Sequence, residues 1–600
     1  MKANLLLLSA ILASTAMTAN AQNSTPTYTK ATLPSGISEG FFRGSAVFAD
    51  VNNDGNLDLI VKGRDLDGGW APKVQVALSN GTTFTEGKTL LENIDIYESN
   101  INVFDYNNDG NADILLSCYG TPLLFKGNGD GTFTQVENFS LADNFSINDD
   151  SNADEKTAEL YYTGLTVTAD FNHNGWQDIL TKDSNGNPVL YNNNGDGTFT
   201  KVENTNLAKM RGGTMSVGDF NNDGYPDVAV SGWYDEAGTD MLIVNKNNGD
   251  GTFTPVISEN LIGAEKGAVM FVDADNDGYL DLFITGESCP EGWAKIAYVF
   301  KNNGDGTFQS KTATNLPGAC KGGADWADVN GDGLIDIVYT GESNSSNMIV
   351  AINNGNLQFT GNEIPQYKIA RGGGAVQAFD YNNDGIIDLA AMGYNDKSFL
   401  TKHFSVWNGA GVKANTAPAA PTNLQMTKAD GKVTLAWDAA TDAESAAASL
   451  RYNVYVTLKD GSIISNVAAD PVTGKLRIGN VDAALTVLNY TLNINPDEIK
   501  EWGVQTIDGG KKASAFAKYD ISSAIHSTAT DGKQTAIQYA SQQLTVSNNA
   551  KVVITDLSGC TVFHDNVKAG TAITLTLQPG TYVIKATAEG NNTVKKILVK

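Results

Sequence analysis

The stretch Asp50-Val51-Asn52-Asn53-Asp54-Gly55-Asn56-Leu57-Asp58 decides the reading, because six more like it follow. The others begin at Asp105, Asp170, Asp219, Asp273, Asp328 and Asp380, at intervals of 55, 65, 49, 54, 55 and 52 residues. Each has Asp at position 1, Asn or Asp at positions 3 and 5, Gly at 6 and Asp at 9. A repeat of this period means stacked or radial units, each one supersecondary element. Asn, Asp and Gly make good turns on their own. That explains one loop, but not the same donor positions seven times.

Hard oxygen donors at alternate positions, with a glycine for the sharp turn, suit calcium. The candidate ligands of loop 1 are Asp50, Asn52, Asp54, Asn56 and Asp58, and of loop 2 Asp105, Asn107, Asp109, Asn111 and Asp113. Loop 3 offers Asp170, Asn172, Asn174, Trp176 and Asp178; loop 4 offers Asp219, Asn221, Asp223, Tyr225 and Asp227. Loop 5 has Asp273, Asp275, Asp277, Tyr279 and Asp281, and loop 6 has Asp328, Asn330, Asp332, Leu334 and Asp336. Asp380, Asn382, Asp384, Ile386 and Asp388 make loop 7. Position 7 serves through its backbone carbonyl. An EF-hand would place a bidentate Glu at position 12, where this chain has Val61 and Leu116. The loops hold 21 aspartates in a chain of net charge −27, so about seven calcium ions would relieve strong self-repulsion. Loop 3, with Asn174 at position 5, is expected to bind most weakly.

Short apolar runs such as Leu59-Ile60-Val61 follow each loop, and Gly-Asp-Gly hairpins such as 193–199, 247–253 and 302–308 follow those. Each unit therefore reads as strand A, calcium loop, strand B, variable loop, strand C, hairpin, strand D. Four strands per ~50 residues, repeated radially, make a β-propeller. The seventh unit stops near Gly411 without a fourth strand, while Thr27-Tyr28-Thr29-Lys30 resembles the fourth-strand text Thr198-Phe199-Thr200-Lys201. The N-terminal strand is expected to complete the last blade and cover its edge. The predicted fold class is all-β: a seven-bladed β-propeller over 22–412, a linker over 413–421 and two small β-sandwich domains.

The loops and their spacing resemble the FG-GAP/VCBS repeat family, whose best-known relatives are integrin α-chain propellers. The resemblance spans about 28–412 and implies calcium between the first two strands of each blade. It fixes neither ligand nor activity. Residues 422–523 resemble a fibronectin type III domain, in the runs Val433-Thr434-Leu435-Ala436-Trp437, Tyr452-Asn453-Val454-Tyr455-Val456 and Trp502-Gly503-Val504-Gln505-Thr506 and in the opening Pro421-x-x-Leu424. A structural spacer is the expected role, with carbohydrate or protein binding the alternative. Residues 524–600 carry β runs at 552–559, 580–585 and 596–600 and resemble a type IX secretion C-terminal sorting domain. This implies export across the outer membrane of a Bacteroidota-like cell by its secretion machinery, ending secreted or on the surface. An adhesive Ig-like module is the other reading, since the usual Pro-Asn-Pro opening is missing.

Residues 1–21 read as a signal peptide, with Lys2, an apolar core over 5–16 and the small-residue site Ala19-Asn20-Ala21. No later stretch approaches the ~18 apolar residues of a membrane span. Net charge −27 argues against nucleic acid as a partner. Four cysteines without a CxxC pair exclude a disulfide scaffold and zinc ribbons.

A ligand is expected on the face opposite the calcium loops, where connections vary more. Trp70, Trp233, Tyr234, Trp293 and Tyr394 fall there and could stack on sugar rings or anchor a protein. Ordinary packing between blades is the competing account for each. Arg43, Arg211, Lys266, Lys321 and Arg371 each precede a glycine at the start of a strand A. They either ring the central channel to receive an anion or pair with local acids such as Glu287 and Glu342. Cys289 and Cys320 lie on this face, and export would permit a disulfide between them. No nucleophile motif, zinc pattern or phosphate loop is present. A surface or secreted binding module for glycan or protein is the leading expectation. A polysaccharide-degrading lyase or glycosidase on the same scaffold is the alternative, and a purely structural envelope protein a third.

Overall fold

The computed structural model describes residues 25–599 apart from 40, 66–70, 93–99, 117–121, 142–165, 184–186, 212, 312–315, 344–346, 369–375, 394–403, 430, 520–536, 541–542, 557–559 and 589–590. The expected signal peptide and most of the long insertion between the second and third loops lie outside the described residues. The described chain forms two compact units, the first ending at Lys518 and the second beginning at Tyr519.

Seven antiparallel sheets of the same order follow one another in the first unit. Strands A are Phe41–Ala49, Ile101–Phe104, Val167–Ala169, Met215–Gly218, Val269–Val272, Ala324–Ala327 and Val376–Phe379. Strands B begin without exception on the last aspartate of the preceding loop: Asp58–Asp65, Asp113–Leu116, Asp178–Lys182, Asp227–Tyr234, Asp281–Ser288, Asp336–Tyr339 and Asp388–Met392. Strands C follow at Ala71–Ser79, Leu123–Gly127, Pro188–Asn193, Thr239–Asn247, Ala294–Phe300, Asn347–Asn353 and Phe404–Ala410. In blade 5 the fourth strand is reduced to a bridge between Asn302 and Phe308. Thr27–Lys30 is the fourth strand of blade 7, with Thr27 opposite Ala410 and Lys30 opposite Trp407.

The B strands are buried on both faces, as Asp281–Ser288 shows with Leu282, Phe283 and Ile284 at 0% exposure. Each A strand lies against the A strand of the next blade, and that of blade 7 against that of blade 1, so the ring closes. Polar side chains on the A strands tie the ring around its axis. Ser45 Oγ accepts the N–H of Ile101 at 3.1 Å, Ser216 Oγ that of Phe271 at 3.2 Å and Asp325 Oδ2 that of Ala378 at 2.8 Å. Gln377 Oε1 accepts from Phe48 N–H, which links blade 7 to blade 1.

Residues 422–518 form a two-sheet sandwich. One sheet holds Thr422–Ala429, Lys432–Asp438 and Asn489–Leu492; the other holds Ile463–Ser465, Arg451–Leu458, Ile499–Ile507 and Ala517–Tyr519. The expectation of a spacer fails here. Val467, Ala468, Ala469, Leu476, Ile478, Val481 and Ala484 share one buried cluster with propeller residues such as Phe48, Phe379 and Tyr381. The sandwich is an integral part of the first unit. A free-standing spacer has no reason to bury apolar side chains in its neighbour, and this one does so with a long segment, 466–488, between two of its strands.

The second unit has sheets of three and four strands, the larger ordered Thr561–Val567, Ala550–Asp556, Gly580–Ala588, Asn591–Val599. Its core is built from alternate residues, among them Leu544, Val552, Ile554, Ile584 and Ala586.

Candidate metal loops and the two faces of the ring

Each loop winds around its own carboxylates. The position-1 aspartate accepts the N–H of positions 5 and 6; in loop 4 these are Asp223 N at 3.1 Å and Gly224 N at 2.8 Å. The position-5 side chain accepts the N–H of position 7, as Asp332 Oδ1 does from Leu334 at 2.9 Å. Position 6 is left-handed throughout, from Gly55 at φ 81° to Gly278 at 91°. Position 4 is left-handed too, in Asn53, Asn108, His173, Asn222, Asn276, Gly331 and Asn383. Asn is the non-glycine residue that tolerates this region best.

Position 9 is fully buried in all seven copies. In six copies one carboxylate oxygen accepts the N–H of position 2, as Asp281 does from Ala274 at 3.0 Å. In all seven the other accepts an N–H at the end of strand C, from Ser79, Gly127, Asn193, Asn247, Asn302, Asn353 or Gly409, at 2.7–2.9 Å. Burial, with neighbouring aspartates adding to it, pushes Asp58 up to about 7 and Asp113, Asp281 and Asp388 up to about 8. Such a cluster favours a cation. In loop 5, Asp273, Asp275 and Asp281 each bring an oxygen within 4.8 Å of the others, and Asp275 Oδ1 has no hydrogen-bond partner. This all-oxygen donor set fits a hard divalent ion. Lysines at or just past the end of strand C also reach these loops: Lys126 to Asp109 at 3.0 Å, Lys246 to Asp223 at 3.2 Å, and Lys301 to Asp275 and, at 2.8 Å, to Asp277.

Two sets of ties that sequence reading missed join neighbouring loops. Asn108, Asn222 and Asn276 donate from Nδ2 to the carbonyl of the position-6 glycine of the next loop, at 2.8, 3.0 and 2.6 Å. Asn193, Asn247 and Asn353 end strand C, Asn302 stands two residues past it, and each donates to the position-2 carbonyl of the preceding blade, at 2.7–2.9 Å. Their signal was the first Asn of the Asn-Asn-Gly run, which reads as turn chemistry alone.

The sandwich covers this face. A Cβ placed on any of the seven loop glycines would meet residues 413–487: Lys475 at Gly55, Ile463 at Gly110, Ile464 at Gly175, Val487 at Gly224, Ala448 at Gly278, Glu444 at Gly333 and Asn415 at Gly385. At Gly333 it would stand 2.0 Å from the Glu444 carbonyl, so only glycine fits. Trp326, two residues before loop 6, is buried as core, and its Nε1 also donates to Asp482 at 3.0 Å. Arg451 and Lys511 lie over its ring at 4.6 and 5.0 Å, and Lys511 Nζ pairs with Asp325 at 2.7 Å. Along the axis runs a cavity of about 270 Å³, lined by all seven A strands and by Asn480 and Asp482 of the sandwich. Part of its polar lining, Ser45, Asn102, Ser216, Asp325 and Gln377, is engaged in ties between blades.

On the opposite face the two readings of the cations can be compared with the side chains. Lys266 pairs with Glu287 at 3.1 Å, and Lys321 lies 3.8 Å from Glu342, which Lys295 also meets at 3.1 Å. Both described lysines of the cation ring thus stand beside a local acid. Arg371, Trp70 and Tyr394 lie outside the described residues, as do the side chains of Arg43 and Arg211. Trp233 and Tyr234 are half-buried in strand B of blade 4, the Tyr234 hydroxyl donating to Glu236 at 2.7 Å. Trp293 is 53% exposed at a hairpin tip with φ 65°, a conformation a bulky residue rarely adopts. The Cys289–Cys320 disulfide is not formed: both are free thiols. Cys320 Sγ is buried and turned to Glu287 Oε1 at 3.5 Å, while Cys289 N–H donates to Asp240 at 2.7 Å. Sharing a face did not make the two thiols neighbours.

Comparison with known proteins finds two family matches in this chain. The FG-GAP-like repeat model matches residues 105–153, 170–230, 219–284, 288–339 and 328–391. A secretion system C-terminal sorting domain matches 534–600. Cartilage acidic protein 1 of Xenopus tropicalis is 27% identical over 177 residues, which is 28% of this chain and 27% of that protein. Among solved structures, an Agrocybe aegerita lectin that recognises non-reducing terminal N-acetylglucosamine aligns at TM-score 0.37 and 22% identity, over 53% of this chain and 79% of its own. AofleA from Arthrobotrys oligospora aligns at TM-score 0.33 and 9% identity, over 57% and 91%. No helix among the described residues is long and apolar enough to cross a membrane.

Proposed function

We infer that this chain, which carries FG-GAP-like repeats and a secretion sorting domain, is an exported module that captures a glycan or protein on the ring face opposite its loops. The observation that carries this reading is the covered loop face. All seven loop glycines lie against residues 413–487, so the metal loops serve the scaffold and the opposite rim meets the ligand. Calcium is the ion we assign to the loops, supported by their hard oxygen donors and by the charge of 21 aspartates. Trp293, exposed at the tip of the blade 5 hairpin, is the aromatic best placed for stacking. The sorting domain supports a secreted or cell-surface location in a Bacteroidota-like bacterium.

The test is an array of acidic and neutral polysaccharides probed with the mature protein in calcium, with product analysis on each hit. Binding without cleavage is expected. Shortened or unsaturated products would instead make the protein an enzyme, and an array without hits would turn the search to protein partners.

A further inference from the structure

The covered face does more than hide the loops. Two side chains of the sandwich hydrogen-bond position-1 carboxylates, and a third stands at ion-pair range of one. The Tyr490 hydroxyl donates to Asp170 Oδ2 at 3.1 Å in loop 3. Thr486 Oγ1 donates to Asp219 Oδ2 at 3.4 Å in loop 4. Arg477 Nη1 lies 4.0 Å from Asp50 Oδ2 in loop 1. Backbone bonds run across the same interface: Ile463 N to Asn108 O at 2.8 Å, Asn493 N to His173 O at 2.6 Å, Asp328 N to Gly509 O at 2.9 Å and Asn415 N to Gly385 O at 2.7 Å. In loop 3 the contact is closest. Asn493 Nδ2 donates to Asn172 O at 2.6 Å, and the His173 ring stacks on Tyr225 at 4.1 Å and meets Tyr490 edge-on at 4.9 Å.

We propose that the metal sites are shared between the ring and the sandwich, with Tyr490, Thr486 and Arg477 as positioning residues, so that metal loading and docking of residues 413–518 are one linked equilibrium. The proposal rests on the calcium reading of the loops. The acceptors of the interface, Asn108 O, His173 O and Gly385 O, sit at positions 4 and 6 of loops that wrap around clustered carboxylates. Withdrawing the ion leaves those carboxylates repelling one another at close range, and the loop shape that the sandwich grips relaxes. Conversely, lifting the sandwich frees Asp170 and Asp219 from hydroxyls that orient them, and outer partners of this kind commonly tune metal affinity 10–100-fold. Linkage makes the two effects reciprocal.

The experiment is amide hydrogen exchange on the mature, calcium-loaded chain before and after chelation, with bound calcium measured in both samples. Exchange at Ile463, Asn493 and Asn415 should accelerate at least tenfold when the metal leaves. The amides of Arg451–Leu458 and Ile499–Ile507, inside the sandwich, should keep their protection. Unchanged interface protection after measured calcium loss overturns the shared-site proposal while leaving the calcium reading intact. A chain that takes up no calcium overturns both. As the reciprocal arm, Tyr490→Phe removes one hydroxyl without disturbing the packing, and calcium titration should show one site weakened about tenfold. An isotherm identical to that of the parent counts against the proposal.

Discussion

Replacing Asn302 with alanine should lower the stability of the first unit by ~3 kcal/mol, since three hydrogen bonds go at ~1 kcal/mol each. The Asn302 amide is fully buried and makes three contacts. Nδ2 donates to Phe220 O at 2.7 Å in the preceding blade and to Leu280 O at 3.0 Å, and Oδ1 accepts the N–H of Gly304 at 2.9 Å. The Asn302 backbone N–H still reaches Asp281, so the loop keeps its anchor. Two carbonyls and one N–H lose their partner, and any that stay dry add to the loss. Spread over roughly 490 residues at ~2.1 cal/mol/K each, this corresponds to a melting shift of ~3 °C if the unit unfolds cooperatively. Asn303→Ala is the control. It sits one residue along, exposed, bonded from Nδ2 to Thr307 at 2.9 Å, and should change stability by less than ~0.5 kcal/mol. Calorimetry in saturating calcium measures both. If N302A melts within 1 °C of the parent, or no lower than N303A, the strand-C asparagines are turn residues and contribute nothing to holding the blades together.

Calcium at a hundred times its Kd should contribute ~2.7 kcal/mol per occupied loop, so chelation lowers the melt of the first unit and spares that of the second. Trp326→Phe removes the bond to Asp482 and part of the face on which Arg451 and Lys511 lie; a loss of ~2 kcal/mol by denaturant titration is expected. Lys182 is completely buried, and burial lowers its ammonium from the ordinary 10.5 to about 7. Between those values the unfolded chain binds the extra proton, so stability rises with pH from about 7 to 10.5; Lys182→Met should flatten that slope in pH-stepped melts. Trp293→Ala should leave the melting temperature unchanged while weakening capture of any array ligand at least tenfold. Unimpaired capture would remove Trp293 from the binding surface.

The loops were legible because their chemistry is local. Alternating oxygen donors and an obligatory glycine within nine residues prescribe one shape, and the same text seven times prescribes a ring. Strand order followed from where the apolar runs stand. The left-handed position 4 was equally local, present in every Asn-Asp-Gly run, but turn composition masks which Asn carries the strain. What sequence could not give was distance-spanning: Tyr490 and Asp170 are 320 residues apart, and nothing in Asn-Tyr-Thr-Leu marks a side chain that finds a carboxylate. The cations at the starts of strands A left two readings open in the sequence, a channel ring or pairing with local acids, and Lys266 and Lys321 stand beside such acids. Choosing between them needed the register of each blade: Glu287 and Glu342 stand at or just past the end of strand B, bridged to Glu265 and Cys320, the residues just before the two lysines.

The strand Thr27–Lys30, which completes blade 7, sets an order of events for the chain as it is made and exported. Its partners lie at Trp407 to Ala410, and the Thr27 hydroxyl bonds a carbonyl 383 residues away. A polypeptide emerging from its N-terminus holds this strand unpaired until six blades and most of a seventh have passed. Closure is therefore a long-range step that local folding cannot anticipate. Until it happens the ring has two open edges, at strand C of blade 7 and beside blade 1, and an unpaired strand edge is the place where a foreign strand, a protease or a chaperone can engage.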